Sequence, residues 1–98
     1  MTTAYEIAKQ GGPHKGLLRR YANDPDHLIE KAIKTYEKRI AEHRAWIVNP
    51  MLKVRPDITE KEIHYLTTRK WPDDVHRLEQ ERDVMMGIVE ERRRAKST

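Results

Sequence analysis

The sequence predicts an all-α domain, and three observations support that prediction. Two long stretches repeat their core-type residues at alternating spacings of four and three, which is the period of a helix seam. Helix-start signals precede both stretches, and no window of strand length alternates apolar with polar residues. We therefore expect a single domain over residues 1–98, built on two long helices at 25–48 and 72–93 that pack antiparallel, with short helices packed across them.

The first long helix is predicted from its start signal, its seam and its end. Asp24 is a candidate N-cap, and Pro25 suits the first helical position. Asn49 and Pro50 end the helix, because a residue before proline disfavours the α region. The seam consists of Ile29, Ile33, Tyr36, Ile40, His43 and Ile47.

The last helix, predicted at 72–93, has the same kind of pattern. Pro72 opens it, because proline is tolerated at the first helical position. Three consecutive arginines, Arg92 to Arg94, lie near its C-terminus, where cations complement the helix dipole. The seam consists of Trp71, Val75, Leu78, Arg82, Met85 and Val89.

Shorter helical segments are predicted before and after the first long helix. A basic N-terminal segment at 3–22 begins with a short helix, which the Gly-Gly-Pro run stops. A second short helix, at 59–70, opens on a capping box formed by Thr59 and Glu62. We expect both segments to lie across the two long helices.

Polar residues interrupt the two seams, and an antiparallel register predicts their neighbours. It places His43 near Val75, and Arg82 near Tyr36. An unpaired buried arginine costs on the order of 3–5 kcal/mol. We therefore expect the Arg82 guanidinium to pair with Glu37 or with the Tyr36 hydroxyl.

Composition narrows the class of protein. Hydrophobic and charged residues are 37% each, a balance typical of long helices with a narrow apolar stripe. The net charge is +4, with an excess of +3 in residues 1–22 and +2 in residues 51–71, which predicts attraction to phosphates, anionic lipid or an acidic partner. There is no cysteine, which excludes disulfides and thiolate chemistry. No apolar run approaches the length of about 18 residues that a membrane span needs.

The segment 11–21, GGPHKGLLRRY, places a histidine, three cations and a tyrosine behind a flexible hinge. A plain interpretation is a solvated loop that leads into a basic helix. The functional interpretation is a site for a phosphate polyanion, in which Lys15, Arg19 and Arg20 bind phosphate and Tyr21 stacks on a base.

His14 and His43 are the candidate catalytic pair for metal-free RNA cleavage. One imidazole would take the proton of the ribose 2′-hydroxyl, the other would protonate the leaving 5′-oxygen, and a lysine such as Lys15 would stabilise the phosphorane. The plainer alternatives are a solvated His14 and a hydrogen-bonded His43 at the core. None of the five histidines lies in a strong metal signature, so no metal and no other cofactor is predicted.

Three segments resemble the C-terminal effector domains of bacterial polymorphic toxins, which end filamentous-haemagglutinin-type and Rhs-type secreted proteins. The segments are GGPHKGLLRRY, LIEKAIKTYEKRIAEHRAWIVNP and RKWPDDVHRLEQERDVMMGI. The family pattern is a G-x-H-x-G start, a helix ending in E-H-x-x-x-I-x-N-P, and a W-P that opens a last helix with a Q-E segment. The matching residues are Gly12, His14, Gly16, Glu42, His43, Ile47, Asn49, Pro50, Trp71, Pro72, Gln80 and Glu81.

The resemblance implies a toxin that is secreted or delivered as part of a larger bacterial protein. It implies action in the cytoplasm of a target cell and neutralisation by a cognate immunity protein. Many such domains are nucleases, and the basic, histidine-containing segment favours an enzyme of the ribonuclease type, with RNA favoured over DNA as the partner. The alternatives are a non-enzymatic helical module that binds nucleic acid or protein, and a metal-dependent DNase toxin.

Overall fold

The computed structural model describes residues 3–97, and within that range the chain is helical, with no strand. The predicted all-α class is confirmed, with long helices and shorter helices packed across them. None of the described helices is both long and apolar enough to cross a bilayer. The elements are α1 (Ala4–Lys9), α2 (Lys15–Tyr21), α3 (Asp26–Val48), a 3-10 turn (Pro50–Leu52), α4 (Glu60–Tyr65), a π-helical turn (Leu66–Lys70) and α5 (Trp71–Ser97).

Helices α3 and α5 form the antiparallel pair on which the molecule is built. At one end of the pair, the Asp26 carboxylate accepts a hydrogen bond from the Arg92 guanidinium at 2.6 Å. At the other end, the rings of Trp46 and Trp71 pack with their centroids 5.7 Å apart. The start of each helix therefore lies beside the end of the other, as the two seams predict.

Two hydrophobic clusters fill the space between the helices. The larger cluster lies where α1, α2 and α3 meet the second half of α5, and the smaller one joins α3 to the first half of α5. The buried members of the larger cluster are Ala8, Ile29, Val84, Met85 and Ile88, and those of the smaller cluster are Ile40, Val75 and Leu78.

Arg82 lies between the two clusters and has a different partner from the expected ones. Its guanidinium is 3.4 Å from the carboxylate of Asp83, the next residue. The Tyr36 hydroxyl lies near the Glu81 carboxylate, and Glu37 is exposed. The predicted pairing is therefore wrong, and 26% of the Arg82 side chain remains exposed to water.

The boundary predicted at Pro72 is not a break in the chain's helical path. Residues 60–97 run through α4, the π-helical turn and α5 without interruption. At a rise of about 1.5 Å per residue this continuous path measures about 57 Å, and the molecule is 57 Å long. Pro72 cannot donate to the carbonyl four residues earlier, and the wider π-helical turn lies immediately before it.

Threonine side chains satisfy carbonyl groups around the π-helical turn. The Thr67 hydroxyl donates to the carbonyl of Ile63 at 2.9 Å, and the Thr68 hydroxyl donates to the carbonyl of His64 at 2.6 Å. Both hydroxyls thus bond back to carbonyls of α4, one turn earlier in the chain. The helical path continues from α4 through the proline.

Candidate nucleic-acid interface

His14 lies on a tight turn between α1 and α2. Gly11 has a positive φ of 89°, and a Cβ on Gly12 would fall 2.8 Å from the Ile7 side chain, so both positions favour glycine. His14 itself has φ 69° and ψ 12°, the left-handed region that costs a non-glycine residue on the order of 1–2 kcal/mol. This conformation directs the half-buried imidazole to α5 instead of capping α2.

The His14 imidazole is joined to a second histidine through a glutamine. Nε2 of His14 lies 3.1 Å from Oε1 of Gln80, and Nε2 of Gln80 lies 3.2 Å from Nε2 of His76. In this arrangement His14 donates to the amide oxygen, and the amide N–H donates to the lone pair of His76. His76 and Gln80 are one turn apart on α5, so the helix itself sets their spacing.

His43 is held at the edge of the core. Its Nδ1–H donates to the Arg39 carbonyl at 2.7 Å, and its ring centroid is 4.5 Å from that of Trp46. Its Nε2 lies 3.8 Å from the Asp74 carboxylate, and only 12% of the side chain is exposed. This arrangement fits the interpretation of His43 as a hydrogen-bonded histidine of the core.

The structure does not bring His14 and His43 together around one phosphate. Their contacts on α5, Gln80 and Asp74, are six residues apart, which corresponds to about 9 Å of rise and to helix faces about 120° apart. The two imidazoles thus contact different faces of α5, which argues against the expected juxtaposition.

Two of the predicted nucleic-acid-binding residues, Arg20 and Tyr21, line a groove between α2 and α3. The groove has a volume of about 460 Å³, and its cations outnumber its carboxylates by three to one. We call it the basic groove. Its lining residues are Arg20, Tyr21, Asp24, Leu28, Lys31, Ala32, Thr35, Tyr36 and Arg39.

The two tyrosines give the basic groove aromatic surface. The Tyr21 ring is half-buried against the larger cluster, and the Arg20 guanidinium lies 5.4 Å from its centroid. Burial, and then the neighbouring Glu81 carboxylate, raise the pKa of Tyr36 to about 12. Tyr36 therefore stays protonated near neutral pH and offers a hydroxyl group, not a base.

Lys15 and Arg19, the other two predicted phosphate-binding residues, are exposed and do not line the basic groove. They are four residues apart on α2, on the side opposite to Leu17, Leu18 and Tyr21, which pack towards the core. The predicted set is thus divided between the groove and the outer face of α2.

The basic groove and the His14 turn both lie near the middle of α5. Tyr36, which lines the groove, lies near the Glu81 carboxylate, and the preceding residue, Gln80, holds His14. Successive residues of a helix lie about 100° apart around its axis, so these two contacts lie on adjoining faces.

Sequence reasoning missed three residues of this interface: His76, Lys31 and Arg39. The spacing of four between His76 and Gln80 was a visible signal that they share a helix face. Lys31 and Arg39 gave no signal of their own, because exposed cations on a helix are usually solvated. Among residues 3–97, no three histidines, cysteines or carboxylates lie close enough together to hold a metal ion.

Comparison with known proteins does not place this chain in a family. No family model, no curated protein and no solved structure matches it. The resemblance to polymorphic toxin effector domains therefore stays a prediction.

Proposed function

We propose that this chain is an RNA-binding effector domain of the polymorphic toxin type, and that it cleaves RNA without a metal ion. The observation that supports the proposal is the basic groove, which collects three cations and two tyrosines, Tyr21 and Tyr36. Cations bind the phosphate backbone, and aromatic rings stack on bases in a way that tolerates any sequence.

The form of the groove favours single-stranded RNA. Arg20, Lys31 and Arg39 are carried by two neighbouring helices, so that their charges converge on one path. A volume of about 460 Å³ is in the range of small-ligand pockets, which suits a few nucleotides and not a duplex. Tyr21 supplies the stacking surface that unpaired bases require.

His14 supports the step from binding to cleavage. An imidazole is the side chain best suited to proton transfer near neutral pH, and this one is half-buried and held by Gln80. The strained backbone at His14 is typical of functional positions. On this proposal the domain acts in the cytoplasm of a target cell after delivery, and an immunity protein neutralises it by covering the cationic surface.

The binding half of the proposal is tested with fluorescent single-stranded RNA over a range of salt concentrations. We expect Arg39→Gln to weaken binding on the order of five-fold and to lower the slope of log K against log salt by about 1. Lys34→Gln is the matched control, because Lys34 lies on the same helix outside the groove. Equal effects of the two substitutions would contradict a specific role for the groove.

The catalytic half is tested by incubating total RNA and tRNA with the protein in EDTA between pH 5 and pH 9. We expect cleavage by the wild-type chain and none by His14→Ala. RNA that is bound but left intact at every pH would instead support a non-enzymatic binding module. The contacts of His43 with the core favour such a binding module, because His14 and His43 do not form a catalytic pair.

A further inference from the structure

We propose that His14 and His76, the two histidines bridged by Gln80, hold one phosphodiester between them and form the acid–base pair of the ribonuclease. This inference rests on the proposed function and names its second histidine. It replaces His43 by His76, a residue on α5.

The bridge provides the geometric argument. The Gln80 amide presents its oxygen to Nε2 of His14 at 3.1 Å and its nitrogen to Nε2 of His76 at 3.2 Å. The oxygen and nitrogen of an amide are about 2.2 Å apart, given C–O and C–N bonds of about 1.23 and 1.33 Å. Two oxygens on one phosphorus have a similar separation, so a phosphate can take the place of the amide between the rings.

The two imidazoles are also available to a ligand. His76 is exposed and His14 is half-buried, and within residues 3–97 neither ring has a partner other than Gln80. The His43 ring, by contrast, is bonded to a backbone carbonyl and packed on Trp46. A phosphate that displaces the Gln80 side chain therefore breaks two side-chain hydrogen bonds and no element of the fold.

The charges around the bridge suit a phosphate more at one ring than at the other. Lys15 follows His14 in the chain, is exposed and forms no ion pair within the described residues. Arg77, next to His76, is already paired with Glu81 at 3.2 Å and with Asp74 at 3.8 Å. Lys15 is therefore the cation that stabilises charge on the phosphorane.

The reaction is an internal transesterification. The neutral imidazole takes the proton of the ribose 2′-hydroxyl, the 2′-oxygen forms a bond to phosphorus, and the bond from phosphorus to the 5′-oxygen breaks. The protonated imidazole gives its proton to the departing 5′-oxygen, which leaves a 2′,3′-cyclic phosphate and a 5′-hydroxyl. With the Gln80 amide in this orientation, Nε2 of His76 accepts a hydrogen bond and is assigned as the base, and Nε2 of His14 donates one and is assigned as the acid.

The first test is single-turnover cleavage of a labelled RNA by three histidine variants. We expect His14→Ala and His76→Ala each to lose at least 100-fold in rate, with RNA affinity and melting temperature close to those of the wild type. His27→Ala is the matched control, because His27 is exposed at the start of α3, and we expect it to cleave normally. Cleavage by His76→Ala at the wild-type rate would overturn this inference and leave the proposed function intact.

The second test does not depend on cleavage. Inorganic phosphate is titrated into protein labelled with 15N in its histidine rings, and NMR follows the imidazole nitrogens. We expect the resonances of His14 and His76 to shift together, and His76→Ala to weaken phosphate binding at least ten-fold. Phosphate that shifts neither ring, or His43 alone, would overturn the inference. A chain that neither binds nor cleaves RNA would instead overturn the proposed function, even if phosphate binds between the rings.

Discussion

Two regions of this molecule differ in what holds them in place. The body comprises residues 3–48 and 71–97, and the arm comprises residues 49–70. Every buried residue of the described chain lies in the body, and the arm has none. Three of its apolar side chains are mostly exposed: Met51 at 54%, Leu52 at 62% and Tyr65 at 57%.

The body is stabilised by packing, and the arm by local hydrogen bonds. In the arm, the Thr59 hydroxyl accepts a hydrogen bond from the backbone N–H of Glu62 at 3.2 Å, and two further threonines bond to carbonyls one turn earlier. Such bonds fix a helix end but bury little apolar surface. We therefore expect the arm to open at a lower free energy than the body, while the histidine bridge and the basic groove stay with the body.

The largest effect is expected from a core substitution in the body. Leu78→Ala removes a completely buried side chain from the smaller cluster, and we expect the free energy of unfolding in urea to fall by about 2–5 kcal/mol. Leu52→Ala makes the same change in the arm, at 62% exposure, and we expect a loss below about 0.5 kcal/mol. Similar losses in the two variants would contradict the distinction between the regions.

A smaller loss of stability is expected from a substitution where α1 packs closely on α5. A Cβ at Gly87 would overlap the ring of Tyr5, so we expect Gly87→Ala to destabilise the body by about 1–3 kcal/mol. Gly16→Ala is the matched control on α2, where nothing lies within 4 Å of the added carbon. We expect that variant to be more stable by about 0.5–1 kcal/mol, because alanine is the better helix former. Thermal melts of both variants test whether the melting temperature falls in Gly87→Ala and rises in Gly16→Ala.

The capping threonine of the arm predicts a local effect. Thr59→Ala removes the N-cap of α4, and we expect the amides of Glu60–Tyr65 to lose about 1 kcal/mol of protection in hydrogen exchange. The amides of α3 and α5 are expected to keep their protection, because no buried contact joins them to the cap. A uniform loss of protection over the whole chain would show that arm and body unfold as one unit.

The smallest effect is expected from the exposed ion pair at the end of the body. The hydrogen bond from Arg92 lowers the pKa of Asp26 below its ordinary 3.8, with Lys96 contributing. Because its pKa is lowered in the folded state, the Asp26 carboxylate stabilises the fold at pH values above its ordinary pKa. This contribution is lost as the pH falls through the lower pKa of the folded state. We expect Asp26→Asn to melt slightly earlier than the wild type at pH 5, with the difference vanishing near pH 2. A difference that grows on acidification would contradict the pairing.

The helical class, the two long helices and their antiparallel arrangement all follow from the pattern of amino acids. The seam residues from Ile29 to Ile47 repeat with the period of one helix face, and the Asn49-Pro50 step ends that helix, as α3 ending at Val48 bears out. The Thr59 cap is likewise visible in four consecutive residues. Periodicity and capping are short-range properties of the chain, so the sequence carries them directly.

Which polar groups meet is set by the tertiary structure. Pro72 is a helix-start signal in the sequence, yet a π-helical turn immediately before it joins α4 to α5 in one helical path. The partner of His14 depends on the sign of one φ angle, at His14 itself, and on the rotation of α5 about its axis. Neither quantity is a local property of the sequence, because both are set by how the apolar faces of four helices pack together.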